Sequence, residues 1–237
     1  MFKYVCSILL IVLSFHAGAQ DRIPNDSSKY RFLPTGIRVG TDLISLAKPF
    51  FNDRFKGWEI NADADIYRRY YLAADFGSWT GTYDLGNDKP GTHPGTYSTS
   101  GTYFRVGVDI NFLLKDPDRN MLFIGVRRAH SGYNDHVDFY YTDPVFGQIN
   151  QSIANASPSA NWNELTMGLR IKIWKFIWMG ATTRLKFGLQ RKGQDDLLSY
   201  EVPGYGRTFK TSWYGINYQI MFRIPVREDA RQSITLK

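Results

Sequence analysis

Between Gly57 and Tyr67 apolar and polar residues alternate without a break: Trp58, Ile60, Ala62, Ala64 and Ile66 share one side, Glu59, Asn61, Asp63 and Asp65 the other. Successive strand residues point to opposite faces, so this segment is a strand between a polar and an apolar environment.

Further segments repeat the pattern. Thr35 to Ser45 sets Ile37, Val39 and Leu43 against Arg38, Gly40 and Asp42, and Arg69 to Trp79 sets Tyr70, Leu72, Ala74 and Phe76 against Tyr71, Ala73, Asp75 and Gly77. Thr102 to Leu114 opposes Phe104, Val106, Val108, Ile110 and Phe112 to Tyr103, Arg105, Gly107, Asp109 and Asn111. Met121 to Ala129 opposes Leu122, Ile124 and Val126 to Phe123, Gly125 and Arg127. Trp162 to Ile173 places Leu165, Met167, Leu169, Ile171 and Ile173 opposite Glu164, Thr166, Gly168, Arg170 and Lys172. Ile177 to Gln190 alternates likewise, with Thr182, Arg184, Lys186 and Gly188 on its polar side. In Trp213 to Ile224, Tyr214, Ile216, Tyr218, Ile220, Phe222 and Ile224 face away from Gly215, Asn217, Gln219 and Arg223, with Met221 an apolar exception. No comparable helical period appears.

Eight antiparallel strands of this length fit the roughly 9–11 residues that cross a bilayer at a tilt. Their connections alternate in length. Leu46 to Lys56, Thr80 to Gly101, His130 to Asn161 and Arg191 to Ser212 are long; those around Tyr67 and Arg68, Lys115 to Asn120, and Trp174 to Phe176 are short. An up-and-down barrel with periplasmic termini produces this rhythm. The chain of 237 residues is then one domain: a signal peptide at 1–19, a periplasmic segment at 20–34, an all-β eight-stranded transmembrane barrel at 35–224, and a periplasmic tail at 225–237.

Alternation alone does not separate a lipid-facing barrel from a soluble one with its apolar face inward. Glycine favours the former, because Gly40, Gly77, Gly107, Gly125, Gly168, Gly180, Gly188 and Gly215 all fall on the charged face. A solvated strand face has no need of glycine; a narrow interior holding Arg105, Arg127, Arg170 and Arg184 does. The charged face is expected inside, with Glu59, Asp63, Asp65, Asp75, Asp109 and Glu164 paired to Arg38, Arg105, Arg127, Arg170, Lys172, Arg184, Lys186 and Arg223. No pore is expected. Trp58, Tyr70, Phe112, Trp162, Trp174, Phe176, Tyr214 and Phe222 are placed in two interfacial girdles.

Aromatics make up 16 % of the chain. Lys3, the apolar run Val5 to Phe15 and Ala17-Gly18-Ala19 have the order of a secretory signal. Removing Lys3 takes the formal charge from +7 to +6 (7 − 1). An exported protein has little occasion to meet nucleic acid, so this balance points to lipid head groups or an acidic partner. Cys6, the one cysteine, lies in the signal, leaving the mature chain without a disulfide or a lipoprotein anchor.

From Tyr214 to Phe222 the last strand resembles the C-terminal assembly signal of bacterial outer-membrane proteins, with Tyr214, Ile216, Tyr218, Ile220 and Phe222 as its apolar side; it departs from the usual pattern because residues follow Phe222. The mature chain is similar to the small eight-stranded outer-membrane barrels of Bacteroidota. That resemblance implies recognition by the barrel-insertion machinery and, for some such barrels, service as accessory subunits of barrel-assembly or secretion complexes.

Candidate chemistry is sparse. His130 and Ser131 with Asp135 and Asp138 could suggest an interfacial hydrolase, but neighbours in a strand point apart unless the chain has turned into loop. His130, Asp135, His136 and Asp138 lack a tight metal-ligand spacing. Gly91 to Gly101 follows no phosphate-binding pattern. No catalytic, cofactor or metal residue is assigned. The long loops offer Tyr83, Tyr97, Tyr133, Tyr140, Tyr141, Phe146, Tyr200 and Tyr205 as exposed contact aromatics, unless they pack on one another. The sequence therefore predicts a non-enzymatic outer-membrane scaffold or accessory subunit that contacts lipid and protein partners. An interfacial lipid-modifying enzyme and a soluble periplasmic ligand-binding barrel are the alternatives.

Overall fold

A computed structural model describes residues 36–226, apart from 68, 87–93, 114, 115, 117, 156, 195 and 196. The signal at 1–19, the segment at 20–34, nearly all of the tail and His93 lie outside the described residues.

Eight strands close a barrel. They are β1 (Gly36–Asp42), β2 (Phe55–Tyr67), β3 (Tyr70–Leu85), β4 (Gly95–Asn111), β5 (Met121–Asp143), β7 (Ser159–Trp174), β8 (Ile177–Lys192) and β11 (Ser212–Pro225), with β6 (Gly147–Asn155) set between β5 and β7 in the chain. Every pairing is antiparallel, β4 pairs with β5, and β11 pairs with β1 to complete the circle. Two short strands, β9 (Glu201–Val202) and β10 (Gly206–Arg207), form a small ribbon in the last long connection.

The wall is inverted relative to a soluble protein. Ile60, Leu72, Val106, Val126, Met167 and Ile216 point outward and are exposed, whereas Glu59, Asp75, Arg105, Arg127, Thr166 and Asn217 are buried inside. Interior glycines make room for this content. At Gly107 an added methyl would run into the Val126 carbonyl of the adjacent strand.

The structure corrects several expectations. β1 stops at Asp42, and Leu43 begins a helix, α1 (Leu43–Phe51), where no helix is expected from the sequence. The Asp42 carboxylate caps it, accepting from the Ile44 and Ser45 amides at 3.3 and 3.1 Å and from the Ser45 hydroxyl at 2.6 Å. Nine residues with Pro49 among them are too few to show a helical period.

The long connections are largely strands. β3 and β4 stay paired from Tyr70↔Ile110 to Leu85↔Gly95. β5 pairs with β7 from Met121 to Gly132 and then, on the same edge, with β6 from Asp135 to Asp143. At roughly 3.3 Å per residue β5 is far longer than a bilayer crossing requires, so its upper part stands clear of the apolar belt.

Gly188 does not lie on the inner face. It has φ +68° beside a register shift between β7 and β8, which turns Leu189 toward the inner core. Trp162 is no girdle residue. It shares the parity of Glu164, points inward, and donates its indole N–H to Glu164 Oε1 at 2.7 Å. Lys172 leaves the interior network and pairs with Asp118 of the β4–β5 turn at 3.0 Å.

Candidate functional site

Inside the barrel, five arginines (Arg38, Arg105, Arg127, Arg170 and Arg184) meet five acids (Glu59, Asp63, Asp75, Asp109 and Glu164), all buried. Arg184 is the hub, with Nη1 2.8 Å from Asp75 and 3.3 Å from Glu164, and Nη2 3.2 Å from Glu59. Arg105 spans Glu59 at 2.7 Å and Glu164 at 3.0 Å. Nearer the chain termini, Asp63 joins Arg38 at 2.7 Å to Arg170 at 2.6 Å, and Asp109 holds Arg127 at 2.6 Å. The two members of each pair come from different strands, so the network cross-links the barrel through its middle.

Two of the expected members sit at the lower rim. Asp65 accepts from the Gly36 amide at 3.1 Å, and Arg223 lies opposite Arg38 in the β1–β11 ladder. Lys186 bonds backbone: its ammonium donates to the carbonyls of Gly204 at 2.7 Å and Tyr205 at 3.1 Å. Those carbonyls belong to the last long connection, which thereby fills the mouth.

The mouth is an aromatic cap. Tyr97, Tyr133 and Tyr205, expected to be exposed, are buried, and Tyr83 and Tyr200 are half-buried. They pack on one another: Tyr83 and Tyr97 lie 5.1 and 5.7 Å from Tyr200, and Tyr205 meets Trp162 edge-on at 5.6 Å. Of the expected contact aromatics only Tyr140 and Phe146 are exposed, with Tyr141 intermediate. Phe146 sits with Val145 at the tip of the β5–β6 hairpin.

Glu201 anchors the cap and is missing from the residues singled out in the sequence. It is 6 % exposed, and its Oε2 accepts from the Tyr83 hydroxyl at 2.6 Å and the Trp79 indole at 3.0 Å. Burial raises its pKa above the ordinary carboxylate value, and burial beside Glu201 pushes up the Tyr83 phenol. Asp135 plays the same part beside it, accepting from Tyr97 at 3.0 Å and Asn155 at 2.9 Å. Val202 and Tyr205, apolar positions within a largely polar connection, are a signal of this plug in the sequence.

The suspected hydrolase residues are not gathered. The strand continues through them, so Ser131 points inward and donates to the Thr102 carbonyl at 3.1 Å, while His130 faces outward against Asn161 at 3.0 Å and the Phe104 ring. His136 faces solvent 3.7 Å from Asp138. Among the described residues no three of His, Cys, Asp or Glu gather as a metal site, and no helix is long and apolar enough to cross a membrane.

The chain is similar in fold to CarO of Acinetobacter baumannii, with 9 % identity, a TM-score of 0.39, and coverage of 80 % of this chain and 97 % of that one. CarO2 of the same organism has 10 % identity, a TM-score of 0.41, and coverage of 82 % and 100 %. Ail, the attachment invasion locus protein of Yersinia pestis, solved with the heparin analogue sucrose octasulfate, has 10 % identity, a TM-score of 0.31, and coverage of 80 % and 97 %. No curated protein matches the chain. The match that spans most of the chain, residues 1–229, is to a family described as a domain of unknown function, DUF6048, and the chain belongs to that family.

Proposed function

We propose that this chain is an integral outer-membrane β-barrel with no catalytic role, serving as a scaffold or accessory subunit of an envelope complex concerned with outer-membrane protein assembly or secretion. The observation that carries the membrane reading is the inverted wall. A continuous belt of exposed Ile, Leu, Val, Met and Phe surrounds a sealed, ion-paired interior. Exposed apolar patches on soluble monomers rarely exceed a few hundred Å². Strand closure satisfies the backbone that lipid cannot. Exposed Tyr70, Trp174, Phe176 and Phe222 at one end, and Trp58, Phe76 and Phe104 toward the other, suit the two interfaces.

The scaffold role is supported by what the interior is committed to. Its charges are spent on one another and its mouth is plugged, which leaves the wall, the extended hairpins and the Val145–Phe146 tip for contact. In this reading the termini are periplasmic and the cap lies outside. Extraction that fails with high salt, succeeds with detergent, and yields a band that shifts on boiling is expected. A chain soluble without detergent would refute the membrane placement. Mild-detergent pull-down from native membranes tests the subunit role: a stoichiometric companion supports it, and monomer under every condition rejects it.

A further inference from the structure

Among the described residues, β6 is the one strand of the barrel sheet with a single neighbour. It pairs with β5 from Asp135↔Asn155 to Asp143↔Gly147, and no strand lies along its other side. The ladder fixes which backbone groups that side presents. The Tyr140 amide donates to the Pro94 carbonyl at 3.2 Å, on the β4 side, so even-numbered residues of this part of β5 turn their backbone groups to β4 and odd-numbered ones to β6. Gln151 therefore bonds to Phe139, while Gln148, Asn150, Ser152 and Ala154 direct their N–H and C=O groups away from β5.

An open edge invites another strand, and proteins ordinarily guard it with charge, proline or a bulge. β6 has none of these. It reads Gly-Gln-Ile-Asn-Gln-Ser-Ile-Ala-Asn, and its register with β5 is unbroken.

The order of its residues matches the edge to itself. Ile149-Asn150-Gln151-Ser152-Ile153 has the same apolar and polar pattern in both directions. A second β6 laid antiparallel about Gln151 sets Ile149 against its Ile153, Asn150 against its Ser152, and Gln151 against its own equivalent. With the β5 partners added, one face carries the row Tyr141, Ile149, then Ile153 and Val137 of the second copy. The other face carries Asp138, Ser152, then Asn150 and Tyr140 of the second copy, so no like charges stand opposite each other. Every open backbone pair from Gln148 to Ala154 gains a ladder partner. The exposed tip residues Val145 and Phe146 overhang toward the second copy's Asn155, which holds the Leu197 carbonyl at 2.7 Å.

We propose that this chain associates with a second copy of itself by antiparallel pairing of the two β6 edges. The contact is isologous, with its two-fold axis normal to the sheet. That axis turns the second barrel end over end. Two copies in one membrane cannot meet in this way, whereas copies in two facing membranes meet cap side to cap side. The facing arrangement rests on the membrane placement proposed above; the pairing itself does not.

The protein from residue 20 onward contains no cysteine, so single cysteines report the register. The two Gln151 residues form a non-hydrogen-bonded pair, with Cα atoms about 4.5 Å apart and within disulfide range. In detergent, mild oxidation is expected to give a covalent dimer of Gln151→Cys and none of Gln148→Cys, which faces Ala154 instead. Sedimentation equilibrium is expected to show a dimer for the wild type. Ile149→Lys with Ile153→Lys sets lysine against lysine and is expected to abolish it; Ile149→Lys with Ile153→Glu sets lysine against glutamate and is expected to restore it. Refolded into phosphatidylcholine vesicles with the cap side out, the wild type and the lysine–glutamate variant are expected to cluster the vesicles, and the double-lysine variant to leave them dispersed.

Each sample is also run boiled and unboiled to verify the folded barrel. A folded wild type that stays monomeric, a Gln151→Cys that does not cross-link, or a lysine–glutamate variant no better than the double lysine overturns the pairing. Detergent dimers that never cluster vesicles overturn the contact between membranes. A different chain that protects the β6 amides in native membranes, with the purified protein monomeric, assigns the edge to that partner and overturns self-pairing. A wild type soluble without detergent rejects the membrane placement, and the cross-link and charge reversal still decide the pairing.

Discussion

Arg184 touches three acids from three other strands, Glu59, Asp75 and Glu164, and accepts no exposure to water in return. Replacing it with methionine keeps the volume and strands those carboxylates, and breaking a buried pair from one side costs about 3–5 kcal/mol. The expected outcome is a boiled-to-unboiled transition at distinctly lower temperature in detergent; an unchanged transition would show that water reaches the acids. Glu201 offers a pH test. Its pKa is raised by burial in the folded cap, where Tyr83, Lys48 and Arg207 are its titratable or charged neighbours. A raised carboxylate pKa means that the folded cap binds the proton more tightly than the open one. The cap is therefore stabilised as pH falls through the folded value, and it bears the cost of the charge above it. Glu201→Gln should protect cap amides from hydrogen exchange at neutral pH and give no gain once the wild-type acid is protonated. Greater exchange in the variant at neutral pH would mean that the charge itself holds the cap.

Elements were legible where one face is exposed and apolar and the other buried and charged. In β2, β7 and β11 every outward position is apolar through the belt, so the period of two is unmistakable. It fades in Thr80 to Leu85, Gly95 to Gly101 and Ala129 to Asp143, where the exposed apolar belt has ended and polar and aromatic residues stand on both faces. Thr and Tyr there favour strands as strongly as Ile does, but the hydrophobic pattern does not report it. The same loss of contrast hid the cap, since inward tyrosines and outward ones look alike in sequence. Helix α1 was hidden by the opposite effect, because Leu43 prolongs the alternation of β1 and only the Asp42 cap turns the chain. The cap is an element in its own right, tied down by Tyr205 against Trp162 and by the Lys186 bonds. Tyr205→Ala removes a fully buried ring, a change of about 3–5 kcal/mol by analogy with large-to-small core substitutions. Trypsin should then cleave after Arg207 or Lys210 in the folded barrel while leaving the strands intact; resistance equal to that of the wild type would place the anchor elsewhere.

At the scale of the whole molecule, the question is whether a barrel with so polar an interior conducts. An eight-stranded barrel encloses only the width that side chains fill, and here buried side chains stand at successive levels from the termini to the mouth. Met121 and Phe123 lie buried toward the termini, with the Arg38 and Arg170 guanidiniums against the Met121 sulfur or the Phe123 ring. The Arg105 and Arg184 cluster occupies the middle, Trp162 and Tyr205 the level above, and the Glu201 cap the mouth. An ion entering would have to displace one partner of a buried pair without the hydration that offsets such a step in water. Planar bilayers containing the refolded protein should therefore show no discrete conductance steps under moderate voltage. Arg184→Met combined with Tyr205→Ala should raise leak if occlusion is due to these two levels. Wild-type steps that persist after repurification would overturn the sealed interior and would turn the arginine–acid ladder from a cross-link of the wall into an ion path.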